Sequence, residues 1–320
     1  MSELIRQKYR EFSSKQVNLP IFYKAEWLDA VCGTEGWSAY FFEIDGQIRA
    51  IFPYCKEFLF GLPTFKMPKL TPYLGVLFFV PDELVKTESV QSFKKQATRH
   101  ILSQIGKPLY FQIAFHPDFD DWQVFHWSGY YQRCRHTYRI DTSKGLDFIW
   151  GEFHFKLRNH IRTAEESLKI SVSNDVESLC QLNLSTFQKQ SLRLPYEKEI
   201  IGAIVEKFYT KDFCRILIAK NKSNDKPEAA LLVVNDHVYM YSLVAGMRQG
   251  APRGAMSLLI WKAIQMAEQK SFHFDFEGSD IPNVEKFYRA FGGKLTTYYQ
   301  IYKSWNKFTD AMLFLSSKFK

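Results

Sequence analysis

The stretch Lys107-Pro-Leu-Tyr-Phe-Gln-Ile returns further along the chain as Lys270-Ser-Phe-His-Phe-Asp-Phe, an offset of 163 residues (107 to 270). Each copy follows a segment that reads as a helix. A glycine, Gly129 or Gly292, stands at the same offset before an aromatic-rich strand. A unit repeated at a fixed offset confines the chain to a duplicated architecture. The order around both copies is hairpin, extended chain or strand, long helix, strand and last strand, with a short helix before the last strand of the second copy, which predicts an α/β (α+β mixed-sheet) fold with sheets flanked by helices. A chain of 320 residues accommodates two domains, and the repeat assigns them to 1–150 and 151–320.

Local signals place the elements. A short helix is expected over 20–32. WSAYFFEIDGQIRAIFPY at 37–54 reads as a hairpin, with Asp45-Gly46 the favoured type I′ pair. Pro81-Asp82-Glu83 predicts a helix start running to about Ile105, followed by strands at 108–115 and 130–140. In the second copy a hairpin at 214–234 turns at Asn221–Pro227. Then come a strand at 238–245, a helix at 255–269, a strand at 271–277, a helix at 283–290 and a strand at 295–303.

Composition excludes several classes. Aromatic residues reach 17% and apolar residues 46%, enough burial to offset the ordering entropy of most of the chain. MSELIRQKYREFSSK lacks the apolar stretch of a signal peptide, and the longest apolar run, Tyr73–Val80, is too short for a membrane span. Cys32, Cys55, Cys134, Cys180 and Cys214 are scattered without a CxxC pair, so reduced thiols in a cytoplasmic protein are expected, and no metal site.

Charge is uneven. Residues 1–150 hold 18 basic and 16 acidic side chains, residues 151–320 hold 24 and 18. Such a bias suits a phosphate-bearing ligand, a nucleic acid or an anionic membrane, or is only a solvated surface. In GEFHFKLRNHIRTAEESLK (151–169) one helix face is apolar through Leu157, Ile161, Ala164 and Leu168, with Arg158 and Arg162 on one flank and Lys156 on another. These cations are either solvated or reach an anionic substrate. The turn Gly246-Met-Arg248-Gln-Gly250-Ala-Pro-Arg253-Gly254-Ala255 precedes a helix, where backbone N–H groups and two arginines suit an anion. It matches neither the Rossmann nor the P-loop pattern. Asp275, Glu277 and Asp280 cluster near a strand end, and alternation puts Asp275 and Glu277 on one side. Two carboxylates in an aromatic setting suit a general base, helix caps or ion pairs with Arg289.

The closing run Asn283-Val-Glu-Lys-Phe287-Tyr288-Arg-Ala-Phe-Gly292-Gly293 resembles the last motif of the GNAT N-acyltransferases. With residues 154–170, PYEKE at 195–199, FDFEGSDIPNVEKFYRAFGG at 274–293 and EWLDAVCGTEGW at 26–37, the chain resembles the FemAB-like branch, which pairs two GNAT-like units in tandem. The resemblance implies transfer of an acyl group from acyl-CoA to an amine, or of an aminoacyl group from aminoacyl-tRNA, onto a cell-envelope or polysaccharide precursor. It implies Glu277 as base, assisted by Asp275, and Tyr288 as acid. It also implies a donor site at Arg248, Gly250, Arg253, Gly254, Ala255 and Asn283, with Lys156, Arg158 and Arg162 holding the acceptor. A catalytically degenerate anion-binding module is the rival reading. The usual pyrophosphate loop, (Gln/Arg)-x-x-Gly-x-(Gly/Ala), is not reproduced before Ala255, and 71–82 lacks such a loop entirely. Residues 304–320 place Trp305, Phe308, Met312, Leu315 and Phe319 on one face beside lysines, a helix that packs on its own domain or lies on an anionic membrane at the cytoplasmic face.

Overall fold

Four segments of the computed structural model are described: residues 2–59, 61–189, 191–278 and 280–305. They form two compact units. Unit 1 takes residues 2–17, 22–135 and 298 onward, and unit 2 takes Asn18–Ile21 and His136–Thr297. The limits fall not at residue 150 but within the strands Tyr131–Ile140 and Lys294–Ser304, each of which is divided between the units.

In unit 1, α1 (Ser2–Lys15) and α2 (Ala25–Cys32) precede β1 (Trp37–Ile44) and β2 (Gln47–Cys55), which pair antiparallel. Asp45 and Gly46 both hold positive φ, 51° and 73°, the geometry that the Asp-Gly pair supplies to a type I′ turn. β3 (Glu57–Leu59), β4 (Leu62–Phe65), β5 (Leu77–Phe78), α3 (Thr87–Ile105), β6 (Tyr110–Ala114) and α4 (Gln123–Trp127) follow. The helix expected from Pro81 begins only at Thr87, because Leu84 N–H closes a separate turn on the Pro81 carbonyl. α1 was not legible as a helix. Its Tyr9 is buried, with the hydroxyl donating to the Tyr23 carbonyl. Cys32 and Cys55 form a disulfide, a correction to the expected thiols: the end of α2 meets the end of β2, 23 residues apart in sequence.

Unit 2 holds residues 136–140 of β7 (Tyr131–Ile140), then α5 (Leu146–Glu152), α6 (Phe155–Ser167), β8 (Leu168–Ser173), α7 (Val176–Lys189) and α8 (Lys198–Phe208). β9 (Cys214–Asn221), β10 (Pro227–Asn235), β11 (Tyr239–Met247), α9 (Ala255–Gln269), β12 (His273–Asp275) and α10 (Pro282–Arg289) complete it. Its strand order is β7-β12-β11-β10-β9-β8, antiparallel except for β11 with β12. β10 is buried from Glu228 to Asn235, so helices cover the sheet on both faces. Ala229, Leu231 and Val233 join a core with α6 and α9. Gly246, paired with Ala230, faces α7 instead.

The sequence echo is an echo of structure. α3, β6, α4 and β7 recur in the same order as α9, β12, α10 and β13 (Lys294–Ser304), with Gly129 and Gly292 both at positive φ. Within unit 2, β7 pairs with β12 through Ile140 and Phe274. Within unit 1, β13 pairs with β6 through Gln300 and Ala114.

A Cβ on Gly246 would lie 2.2 Å from the Asn183 backbone nitrogen of α7. Gly246→Ala is therefore expected to destabilise unit 2 by about 1–3 kcal/mol, an overpacking that backbone cannot relieve cheaply. A lowered denaturation midpoint with native secondary structure checks it.

Candidate active site

β11 and β12 are registered only at Tyr239↔His273, Met240↔Phe274 and Tyr241↔Asp275. β11 then runs on to Met247, while the chain beyond Asp275 turns away through Glu277 and Gly278, both left-handed at φ 61° and 75°. α7 covers the edge that β12 leaves. Asn183 Nδ2 donates to the Ala245 carbonyl at 2.8 Å, and Met247 N–H donates to Thr186 Oγ1 at 2.9 Å. The register of β11 against β10 breaks around Leu243, between Tyr241 and Ala245. The result is a strand pair open at its C-terminal end, the place where open α/β sheets receive ligands.

Asp275 and Glu277 have opposite fates. Asp275 is fully buried and held on every side: Arg139 Nε at 2.7 Å, Thr137 Oγ1 at 2.6 Å and the Glu277 backbone N–H at 2.8 Å. Arg139 in turn lies over the Tyr239 ring and donates to the Tyr239 hydroxyl at 3.0 Å. Glu277 is only partly buried as a residue, yet its Oε1 is sealed from solvent without a hydrogen-bond partner among the described residues. Burial first and the Asp275 charge second push its carboxyl well above the ordinary 4.5. Strand alternation does not extend to Glu277, because β12 ends at Asp275 and the left-handed turn re-aims the side chain.

Two tyrosines feel the Glu277 charge. The Tyr288 ring packs on Phe276 at 4.9 Å, and burial followed by Glu277 pushes its hydroxyl up to about 12. Tyr196, between α7 and α8, donates to Asn183 Oδ1 at 3.2 Å. Burial raises it to about 12, with Cys180 and Glu277 adding to the rise. Both keep their protons at neutral pH and so serve as donors. Tyr196 had no assigned role in the sequence, where its only trace was its place in the PYEKE stretch.

The expected cationic groups divide. Arg248 is committed to buried Glu228 through Nε at 2.8 Å and a second guanidinium nitrogen at 2.7 Å. Arg158 donates to the Trp150 and Gly151 carbonyls at the end of α5, and Arg162 lies over the Trp150 ring. Lys156 and Arg253 are exposed, and both act on His160, which burial and these charges hold below its ordinary 6.5. A Cβ on Gly254 would stand 2.1 Å from the His160 carbonyl oxygen, so this glycine lets α6 approach the start of α9, where buried Ala255 is the first residue. Gly250 faces open space at φ 79°, and Asn283 is exposed in the first turn of α10. No group of three or more His, Cys, Asp or Glu among the described residues is placed to hold a metal.

No protein-family model matches the chain, and no curated protein matches it by sequence. Solved structures do. The crystal structure of FemX aligns at TM-score 0.62 and 12% identity over 92% of this chain and 95% of that one. The fold is FemAB-like. The C-terminal domain of a putative lysylphosphatidylglycerol synthetase from Agrobacterium fabrum aligns at TM-score 0.60 and 12% identity, covering 99% of this chain and 97% of that one. L-PGS from Bacillus licheniformis aligns at 0.59 and 13%, covering 97% and 96%. The chain thus shares the fold of these structures, mixed sheets flanked by helices, and no described helix is long and apolar enough to cross a membrane.

Arg139→Met strips a buried carboxylate of its cation and is expected to cost about 3–5 kcal/mol in chemical denaturation. The raised carboxyl of Glu277 has a pH signature of its own. Below its ordinary 4.5 both folded and unfolded chains hold the proton. As pH rises toward the higher folded value the unfolded chain ionises first, and stability falls. Glu277→Gln removes this decline, so its stability relative to the parent should grow between acid and neutral pH in denaturant titrations.

Proposed function

We propose that this chain is an aminoacyl transferase that moves an activated acyl group from an aminoacyl-tRNA to an amine on a cell-envelope precursor. The carrying observation is the unpartnered, sealed Oε1 of Glu277 at the open end of the β11–β12 pair. Burial lifts this carboxyl well above its ordinary 4.5, and a base of raised pKa holds an accepted proton more firmly.

In this reading the acceptor nitrogen attacks the ester carbonyl carbon of the donor and passes a proton to Glu277. The carbonyl oxygen is polarised by backbone of β11 around Leu243. The carbon–oxygen bond to the tRNA ribose breaks, and Tyr288 supplies the proton to the departing oxygen. Tyr196 and Asn183 hold the α7 side of the cleft in register with β11. Asp275 positions Glu277 through its backbone N–H and itself stays bound to Arg139. No metal is assigned a part.

Three features support aminoacyl-tRNA over acyl-CoA as donor. The turn before α9 lacks the pyrophosphate-loop spacing. Gly254 is used for packing against His160, and Arg248 is spent on Glu228. The structures reported above are named as FemX, a putative lysylphosphatidylglycerol synthetase and L-PGS, the second named for an aminoacylated lipid. Exposed Lys156 and Arg253 remain for phosphates of the donor, and Asn283 borders the cleft motif. The site is placed on the cytoplasmic side, where charged tRNA is found.

Loss of radiolabelled amino acid from total charged tRNA, measured with a panel of primary-amine acceptors, tests the proposal. Glu277→Gln should lower the rate about 10²–10⁴-fold, and Tyr288→Phe should lower kcat with little change in KM. Turnover of acetyl-CoA or long-chain acyl-CoA with charged tRNA untouched would reassign the donor.

A further inference from the structure

The β3–β4 hairpin turns its apolar side chains outward. Phe58 is 68% exposed, Leu62 50% and Leu59 39%, three large apolar residues within five positions. Register pairs Leu59 with Leu62 on one face and leaves Phe58 on the other, so the end of the hairpin is apolar on both faces; single exposed apolar residues are ordinary, but such a grouping marks a contact surface. The base of the hairpin is firmly seated. Phe65 is buried among Phe52, Tyr54 and Phe111, and β4 pairs with β6 at Thr64↔Tyr110 and Phe65↔Phe111. The turn at Gly61 has open space around it at φ 76°. A rigid base therefore presents an apolar tip.

The charges around the tip are mostly positive. Lys56 and Lys66 bracket the hairpin and Lys69 follows; Glu57 is the one acid between them, 3.6 Å from Lys66. Lys107, exposed, precedes Tyr110 by three residues just as Gly61 precedes Thr64, so parallel register sets it level with the turn. The described chain also ends at this level. Leu109 N–H donates to the Pro63 carbonyl at 2.9 Å, and Trp305 N–H to the Leu109 carbonyl at 3.3 Å. The sequence beyond Trp305 carries Lys307, Phe308, Met312, Leu315, Lys318, Phe319 and Lys320, so a second basic and apolar segment starts from the same end of unit 1.

From this juxtaposition we propose that the β3–β4 hairpin is a wedge that seats unit 1 on an anionic lipid bilayer, Phe58, Leu59 and Leu62 entering the interface while Lys56, Lys66 and Lys107 meet the headgroups. An apolar insertion and a basic surround are the two contributions that together hold a protein at such a surface. A second copy of the chain fits less well, since the outer strand offers only the three residues Glu57–Leu59 for edge pairing. The proposal stands apart from the transferase reading, because the hairpin and Glu277 belong to different units.

Co-sedimentation of the full chain with phosphatidylcholine vesicles, with and without phosphatidylglycerol, is the test. Binding is expected only with phosphatidylglycerol and should weaken with salt. The double variant Phe58→Ser/Leu62→Ser should lose about tenfold or more of the partitioning while keeping the parent's thermal unfolding midpoint. Lys66→Glu with Lys107→Glu should reduce binding to the anionic vesicles. A parent protein that stays in the supernatant with both vesicles overturns the proposal. So does undiminished binding by the serine variant, which would assign the membrane contact to 306–320. A concentration-dependent dimer abolished by the serine variant, without vesicle binding, would give the surface to a second copy.

Discussion

Much of unit 2 is organised by one buried carboxylate. Asp275 is the last residue of β12, and Arg139 and Thr137 reach it from β7. A buried charge left unpaired is costly, so these contacts fix where β7 lies against β12. The same carboxylate receives the Glu277 N–H and thereby shapes the turn that ends the strand. Strand pairing, turn geometry and the setting of the candidate base are consequences of satisfying a single group.

That arrangement separates two neighbouring acids by role. Asp275 has a structural role, held by the Arg139 guanidinium and by hydrogen bonds from Thr137 and the Glu277 N–H. Glu277, two residues on, meets burial and the Asp275 charge without compensation at Oε1. The proton inventory of the cleft follows: one carboxyl moved upward and two phenols that stay protonated. Such a set suits proton exchange on an uncharged substrate. The exposed cations Lys156 and Arg253 lie apart from it, on α6 and in the turn before α9.

The sequence was informative where structure is local. Asp45-Gly46 specified its turn, the apolar period specified α6, and the offset between Lys107 and Lys270 specified the repeated order. It was blind where partners are distant. Nothing in the spacing of Cys32 and Cys55 announces their bond, and nothing near Arg158 announces the α5 carbonyls it serves. Alternation carries no information past Asp275, where the strand ends and Glu277 is left-handed. Tyr196 was unassigned since its neighbours Asn183 and Glu277 come from separate stretches of chain. Of the helix expected over 304–320, residues 306–320 lie outside the described residues.

The crossing of last strands also sets a timetable. β6 lies within unit 1 but pairs with residues 300–304 of β13. On a ribosome the last segment of unit 1, beginning at Tyr298, follows Arg135 by 163 positions (298 less 135), a delay of about ten to thirty seconds at ordinary elongation rates. Throughout that interval the nascent N-terminal portion holds β6 with an unfilled edge beside Phe111 and Ile113. Its completion thus waits for the last strand, and any passing strand of suitable pattern competes for the berth until then.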